Sequence, residues 1–116
     1  MQYDFSLSVL KKAKENGLNT AIETCGYTEK SLFEISEYVD FWLYDIKLLD
    51  NDMHKKYTGV PNEKILENLK YLDSIGASVI LRCPIIPEIN MTKRHFSAIA
   101  ELKNSLTCVK AIHLMP

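Results

Sequence analysis

The sequence predicts an α/β fold with a parallel sheet covered by helices on at least one face. Segments with helical periodicity alternate with strand-like segments along the whole chain. The strand-like segments are near-continuous apolar runs rather than half-polar ones, which is typical of parallel sheets. With 116 residues the chain has the size of one domain, so we expect residues 1–116 to form a single domain.

Two helices and two strands alternate in the first half of the chain. Apolar residues at helical spacing stop at Gly17, a good C-terminal cap, and predict the first helix. Ser31 and Glu34 have the spacing of a capping box and predict the second helix. The apolar runs NTAIET and FWLYDI predict strands. The predicted elements are helix 6–16, strand 19–24, helix 28–38 and strand 41–46.

Two more helices and two more strands follow in the second half. Pro61 and Asn62 are start signals for the third helix, and Gly76 is its stop signal. Thr92 is the predicted cap of the fourth helix. The runs ASVILRC, ended by Pro84, and VKAIHLMP predict the third and fourth strands. Four strands suit either a small open sheet or part of a barrel, and periodicity does not choose between the two.

Composition and charge exclude several classes of partner. The chain has 14 basic and 15 acidic side chains and a net charge of -1, and neither sign forms a long run. We therefore expect neither nucleic acid nor an anionic membrane as a partner. No apolar run approaches the about 18 residues of a membrane span, and the N-terminus lacks the features of a secretory signal. These observations predict a cytoplasmic protein.

The cysteines and histidines do not form a recognisable metal or disulfide pattern. Three cysteines are an odd number, and their wide spacing suits neither a disulfide framework nor a zinc site. We expect reduced thiols in or beside strands, and packed or surface histidines rather than metal ligands. No phosphate-binding or nucleophile-elbow motif is present either. The residues concerned are Cys25, Cys83, Cys108, His54, His95 and His113.

Charged residues are predicted at three of the four strand ends. In parallel α/β proteins, ligands gather at the carboxyl ends of the strands. The candidates at these ends are Glu23 and Thr24 on the first strand, Asp45 and Lys47 on the second, and Arg82 on the third.

Asp45 and Lys47 are the most informative pair. They are two residues apart on a strand, so both side chains leave the same face and share one wall of a cavity. An acid and an amine so placed can bind the ammonium and the carboxylate of an amino-acid moiety. The alternative is that the two residues pair with each other or extend into solvent. Glu23 also has an alternative role, because a carboxylate at the end of a strand often caps the following helix.

The sequence resembles a known family in four segments. They are NGLNTAIETCGY, VDFWLYDIKLLDNDMHKKYTGVPNEKILENLKYL, VILRCPIIPEIN and IHLMP. Within them, the motifs D-x-K, H-x-x-Y-x-G-V-P-N and R-x-P-x-I-P stand in the order and at the spacing of the activating enzymes of glycyl radical enzymes. This resemblance covers nearly the whole chain.

The resemblance implies a radical S-adenosylmethionine enzyme. These enzymes fold as a partial β/α (TIM-like) barrel, of which this chain would supply about four strands. A 4Fe-4S cluster in the family reductively cleaves S-adenosylmethionine, and the resulting radical removes hydrogen from a glycine of the partner enzyme. The implied partners are a glycyl radical enzyme and an electron donor such as flavodoxin or ferredoxin.

The resemblance also implies roles for the residues at the strand ends. Asp45 and Lys47 match the family's D-x-K and are expected to contact the methionyl amino and carboxylate groups. Glu23 and Thr24 match a segment beside the same methionyl end, which in some members helps to hold a monovalent cation. Arg82 matches an arginine that faces the cofactor or the substrate peptide.

Two family motifs are absent from these 116 residues. The C-x3-C-x2-C motif that ligates the cluster does not occur, and neither does the G-G-E-P segment. We therefore expect a C-terminal portion of the partial barrel that has no cluster ligand or catalytic residue of its own and is inactive alone. Glu88 stands where the family usually has glycine, at a position where glycine would permit backbone angles that glutamate disfavours.

Two other functions fit the same residues. In a barrel aldolase, Lys47 would form a Schiff base and Asp45 would relay its proton. In a non-catalytic remnant, the half-barrel would act as a binding module, and its first and fourth strands would be unpaired edges that attract other chains.

Overall fold

The computed structural model describes residues 3–28 and 30–115. Five helices and four strands alternate, with two helices between the second and third strands. The helices are α1 (Tyr3–Glu15), α2 (Phe33–Ser36), α3 (Asn51–Thr58), α4 (Glu63–Ser74) and α5 (Lys93–Asn104). The strands are β1 (Ala21–Thr24), β2 (Phe41–Asp45), β3 (Val79–Pro84) and β4 (Val109–Met115). Glu29 and Pro116, which two predicted elements include, lie outside the described residues.

The four strands form one parallel sheet in chain order. β1 pairs with β2, β2 with β3, and β3 with β4, so β1 and β4 are its edges. Parallel neighbours need crossover connections, which the helices supply. Both edges were predicted. The carboxyl ends of all four strands therefore meet at one end of the sheet.

The helices cover only one face of the sheet. On this face, Trp42 and Tyr44 of β2 and Val79 and Leu81 of β3 are buried. They pack in one core with side chains of the helices, namely Leu10, Ile35, Leu69, Leu72 and Ile99. The alternate strand residues point to the other face, which we call the open face. Glu23, Asp45 and Arg82 lie there.

The first two predicted helices differ from the observed ones. α1 begins at Tyr3, three residues before the predicted start. α2 has only four residues, because much of the segment before it is an irregular loop. The buried side chain of Asn68 donates hydrogen bonds to the carbonyls of Gly26 and Thr28, at 2.7 and 3.3 Å, and so holds this loop to α4.

The predicted capping box does not form. The hydroxyl of Ser31 accepts the N–H of Phe33, two residues on, and Leu32 is the N-terminal cap of α2. Glu34 instead pairs with Lys11 of α1, at 3.4 Å. The spacing of the two residues suited the motif. However, Ser31 still belongs to the loop, because the helix begins only at Phe33.

Other helix ends agree with the sequence signals. The hydroxyl of Thr92 caps α5 by accepting the N–H of His95, at 3.1 Å. α3, which contains His54, was not among the four predicted helices. Asp50 caps its first turn, and Gly59 ends it in a left-handed conformation with φ of 82°. Within the described residues, no helix is long and apolar enough to span a membrane.

Candidate functional site

Three of the predicted site residues form a row across the carboxyl end of the sheet. On the open face, the Nε atom of Arg82 lies 2.9 Å from Oδ1 of Asp45. Its Nη1 atom lies 3.2 Å from Oε1 of Glu23. Asp45 and Arg82 are partners in the sheet register, so their side chains leave the same face. Arg82 thus links β3 to both β2 and β1.

The hydrogen bonds of the row affect the charge of Arg82 and occupy one oxygen of Asp45. The hydrogen bond from Arg82 to Asp45 outweighs the opposing effect of burial and raises the pKa of the Arg82 guanidinium above its usual range. Arg82 therefore stays charged. Among the described residues, hydrogen bonds to Asp45 reach only Oδ1. Its second carboxylate oxygen is available to a ligand.

Asp45 and Lys47 border one cavity at the carboxyl end of β2, as their spacing predicts. The cavity has a volume of about 210 Å³, and Cys25 and His54 also line it. This is smaller than the about 300–1,000 Å³ of a site for a drug-sized ligand. It has room for a group the size of an amino acid.

Thr24 is placed differently from the other candidates. It pairs in register with Tyr44, which faces the helices, so its side chain leaves the covered face of the sheet. Its hydroxyl accepts the N–H of Gly26, at 2.9 Å. Gly26 has a φ of +75°, and a Cβ there would collide with the Tyr44 hydroxyl. Thr24 thus shapes the loop after β1.

His54 lines the cavity, although the sequence predicted only a packed or surface histidine. It is buried, and its Nδ1 lies 2.6 Å from the carbonyl oxygen of Val60. A carbonyl can only accept, so Nδ1 carries the proton and the ring is held in one orientation. His54 is the first residue of the H-x-x-Y-x-G-V-P-N motif, but the motif alone does not show that the ring lines the cavity.

Two buried asparagines beside the cavity were also missed. Asn62 was predicted as a helix start signal, yet its side chain makes no capping bond to α4. Its amide binds the connection between β2 and α3 instead. Asn90 binds the same connection from the loop after β3. Sequence alone gives no sign that an asparagine is buried against a distant loop.

The thiols do not fit an iron–sulfur cluster. Cys25 follows β1 at the carboxyl end of the sheet, whereas Cys83 is buried on the face that the helices cover. Cys108 precedes β4 and thus lies at the opposite end of the sheet. All three are free cysteines. Across the part of the chain that the structure describes, no group of three His, Cys, Asp or Glu residues is arranged to hold a metal ion.

A larger cavity of about 400 Å³ lies between α3 and α5. His95 lines it, but the buried Nε2 atom of this histidine has no hydrogen-bond partner among the described residues. Burial also lowers the pKa of His95, so the ring stays neutral. None of Glu23, Asp45, Lys47 and Arg82 borders this space. The candidate site is therefore the smaller cavity together with the charged row.

No family model matches the chain, but several curated proteins are similar to most of it. The trans-4-hydroxy-L-proline dehydratase activating enzyme of Clostridioides difficile is 36% identical over 112 residues, which are 96% of this chain and 36% of that protein. The isethionate sulfite-lyase activating enzyme of Oleidesulfovibrio alaskensis is 43% identical over 105 residues, which are 88% and 34%. The chain is a homologue of the activating enzymes of glycyl radical enzymes.

A third relative of this group is the pyruvate formate-lyase-activating enzyme of Clostridium pasteurianum. It is 33% identical over 116 residues, which are all of this chain and 49% of that protein. The chain thus spans about a third to a half of the length of these activating enzymes.

Solved structures agree with the observed fold. A domain of the pyruvate-formate lyase-activating enzyme from Bacteroides vulgatus superposes with a TM-score of 0.89 and 25% identity, covering 97% of this chain and 71% of that one. Streptococcus suis SuiB, crystallised with the precursor peptide SuiA, gives a TM-score of 0.73 at 13% identity, covers 92% of this chain and 24% of that one, and shows the fold alone. The predicted fold class, parallel βα units forming part of a partial β/α barrel, is confirmed.

Proposed function

We propose that this activating-enzyme homologue belongs to a radical S-adenosylmethionine enzyme that acts on a glycyl radical enzyme. Its 116 residues would be the C-terminal portion of the partial barrel, as one domain. The observation that carries the proposal is that an acidic and a basic residue, Asp45 and Lys47, both border the amino-acid-sized cavity at the end of β2.

Asp45 and Lys47 would bind the methionyl end of S-adenosylmethionine. The free carboxylate oxygen of Asp45 would accept from the ligand ammonium, and Lys47 would donate to the ligand carboxylate. Both contacts join opposite charges through hydrogen bonds, which makes them stronger than neutral ones. The pair would thereby orient the methionyl group at the open end of the sheet.

The remaining candidates would support this pair. Arg82 would hold the Asp45 carboxylate in place, since it donates to Oδ1, and no hydrogen bond from the described residues reaches Oδ2. Glu23 would anchor Arg82 from the other side, and Thr24 would shape the loop after β1 through its bond to Gly26. A monovalent cation beside Glu23 and Asp45 remains part of the proposal.

Other parts of the reaction would lie outside these residues. S-adenosylmethionine supplies, on reductive cleavage, the radical that removes hydrogen from the partner's glycine. The three thiols of this chain do not fit the 4Fe-4S cluster that such cleavage needs. We therefore assign the cluster ligands to another part of the protein, and flavodoxin or ferredoxin to the supply of electrons, in the anaerobic cytoplasm.

The test is S-adenosylmethionine binding by the complete protein that contains this chain. Isothermal titration under anaerobic conditions would compare the native protein with Asp45→Asn and Lys47→Met. Each substitution should weaken binding about tenfold or more, because a hydrogen bond to a charged group contributes about 1.5–3 kcal/mol. Release of 5′-deoxyadenosine with a chemical reductant would fall in parallel.

Matched controls come from α3. Asp52→Asn and Lys55→Met change the same residue types at exposed positions outside the cavity lining, and both should bind like the native protein. Equal affinity in all five proteins would contradict the assigned roles of Asp45 and Lys47. A native protein that binds no S-adenosylmethionine would contradict the function itself.

The alternative functions have less support. A Schiff-base lysine is typically activated by removal from water, whereas Lys47 is exposed. The matched relatives are activating enzymes rather than aldolases. A remnant kept only for contacts would have no reason to retain affinity for S-adenosylmethionine, so binding that falls on substitution of Asp45 would count against it. We therefore retain the activating-enzyme function alone.

A further inference from the structure

The connection between β2 and α3 is held by side chains rather than by the sheet. The N–H of Ile46 makes the last sheet-like bond, 2.9 Å from the carbonyl of Arg82. Residues 47–49, which we call the anchored segment, follow outside the strand. Backbone carbonyls in such a segment need other partners when water is excluded.

Two asparagine amides supply those partners. Asn90 donates to the carbonyl of Lys47 at 2.8 Å. Asn62 donates to the carbonyls of Leu48 and Leu49, at 3.3 and 2.9 Å. Three successive carbonyls are thus bound by residues that lie 13 to 43 positions away in the sequence.

Both asparagines are deeply buried. Asn90 is 2% exposed and Asn62 is 4% exposed. Asn90 also donates to the carbonyl of Pro84 at 2.8 Å and accepts the N–H of Ile86 at 2.7 Å. Its amide therefore ties the end of β3 to the anchored segment. Polar groups this buried are costly unless their bonds are made, so the arrangement is specific.

We propose that Asn62 and Asn90 are positioning residues for Lys47. The proposal rests on the function proposed above, in which the Lys47 ammonium receives the ligand carboxylate. Lys47 is exposed, and no hydrogen bond to its ammonium is found within residues 3–28 and 30–115. The position of the ammonium depends on its backbone, and that backbone is fixed by the two amides.

The consequence for binding follows from the flexibility of lysine. Its side chain has many rotamers, and holding it in one place costs entropy. A fixed backbone restricts where the ammonium can go and keeps it near Asp45. When the amides are lost, the anchored segment relaxes, and the carboxylate contact is made less often.

The first variants are Asn90→Asp and Asn62→Asp. A carboxylate keeps the shape and the acceptor oxygen of the asparagine but has no N–H to donate. In the complete protein, each variant should bind S-adenosylmethionine about tenfold more weakly by anaerobic titration. Asn90→Ser, which avoids a buried charge, serves if the aspartate variant does not fold. Leu72→Ala in the core is the control for lost stability and should leave affinity unchanged.

A double-mutant cycle separates positioning from a general structural role. In a Lys47→Met background, Asn90→Asp should have little further effect on affinity, since the group it positions is gone. If the two substitutions instead multiply their effects, Asn90 does not act through Lys47 and the proposal is overturned.

Hydrogen exchange tests the positioning without any ligand. The amide of Ile46, whose N–H binds the carbonyl of Arg82 directly before the anchored segment, should exchange faster in Asn90→Asp and Asn62→Asp than in the native protein. Asn68→Asp, a matched buried asparagine that binds Gly26 and Thr28 instead, should leave this exchange unchanged. Unchanged exchange in all variants overturns the proposal even if the native protein binds S-adenosylmethionine. A native protein that does not bind it refutes the proposed function, while exchange still decides whether the amides fix the segment.

Discussion

At Glu88 the backbone adopts a left-handed conformation, with φ of 73°. Among the described residues, every other positive φ belongs to a glycine. A side chain in this conformation costs about 1–2 kcal/mol, because its Cβ approaches the backbone. The sequence had already marked this position, since the family usually has glycine here. The chain keeps the turn that glycine would favour and tolerates the strain.

Replacement of Glu88 by glycine should therefore stabilise the protein. The strain of about 1–2 kcal/mol is removed, while the extra freedom of glycine in the unfolded chain costs about 0.5–1 kcal/mol. We expect the free energy of unfolding to rise by about 0.5–1 kcal/mol, measured by urea denaturation. Glu88→Ala keeps a Cβ and should show no such gain. A glycine variant less stable than the native protein would show that the glutamate side chain has a stabilising role.

Residue-level prediction from the sequence depended on periodicity. Asp45 and Lys47 were predicted to share a cavity because side chains alternate along a strand, and both line it. The same alternation puts Thr24 on the covered face, which a motif match does not show. The link from Arg82 to Glu23 joins residues 59 positions apart, and the sequence contains no local signal for such a pair.

Among the secondary-structure elements, α1, β1 and β2 are joined at one carboxylate. Asp40, just before β2, binds the ammonium of Lys14 at the end of α1, at 2.9 Å. It also accepts the N–H of Thr20, just before β1, at 2.7 Å. The hydrogen bond from Lys14, followed by that from Thr20, lowers the pKa of Asp40 below its usual value. The charged form of Asp40 therefore stabilises the folded protein.

This predicts a pH dependence of stability. Because the pKa of Asp40 is lower in the folded chain, its contribution is complete above the ordinary aspartate pKa of about 3.9 and is lost as the pH falls through the folded value. Asp40→Asn should be less stable than the native protein at pH 7, and the difference should shrink below about pH 4. Denaturation at several pH values measures this. Asp52→Asn, at an exposed position, should not change the acid limb, and a constant difference for Asp40→Asn would contradict the assignment.

The ends of helices were predictable where residues close in sequence alone determine them. Thr92 and Gly76 mark helix ends that the structure confirms. The second helix was predicted too long because a buried amide, Asn68, holds part of that segment as a loop. Asn62 does stand directly before α4, as predicted, but its side-chain amide binds the distant carbonyls of Leu48 and Leu49 and does not cap the helix. Errors thus arose where tertiary hydrogen bonds replaced local ones.

For the whole molecule, the parallel sheet was predictable from alternating helices and apolar strands. Whether the strands form an open sheet or part of a barrel was not predictable, because that depends on the strand order and on which face of the sheet stays uncovered. The structure shows helices on one face and charged residues on the other. That division places the charged row on the face that the helices leave open, while the smaller cavity lies at the carboxyl end of β2 against α3 and α4.

In the part of the chain that the structure describes, the sheet has two open edges, β1 and β4. Edge strands present unpaired N–H and carbonyl groups that pair readily with other chains. On β4 the side chain of Leu114 is 54% exposed, so this edge also offers apolar surface. We expect the isolated chain of residues 1–116 to self-associate as its concentration rises, which sedimentation velocity would detect.

A charge on the β4 edge should oppose this association. Leu114→Lys places an ammonium where a second chain would pack, a device by which natural edge strands avoid pairing, and should shift the isolated chain towards the monomer. The matched control is Val9→Lys, which adds the same charge at an exposed position of α1 and leaves the edges unchanged. If both lysine variants reduce association equally, net charge rather than edge pairing governs it, and if neither does, the contact lies elsewhere on the surface.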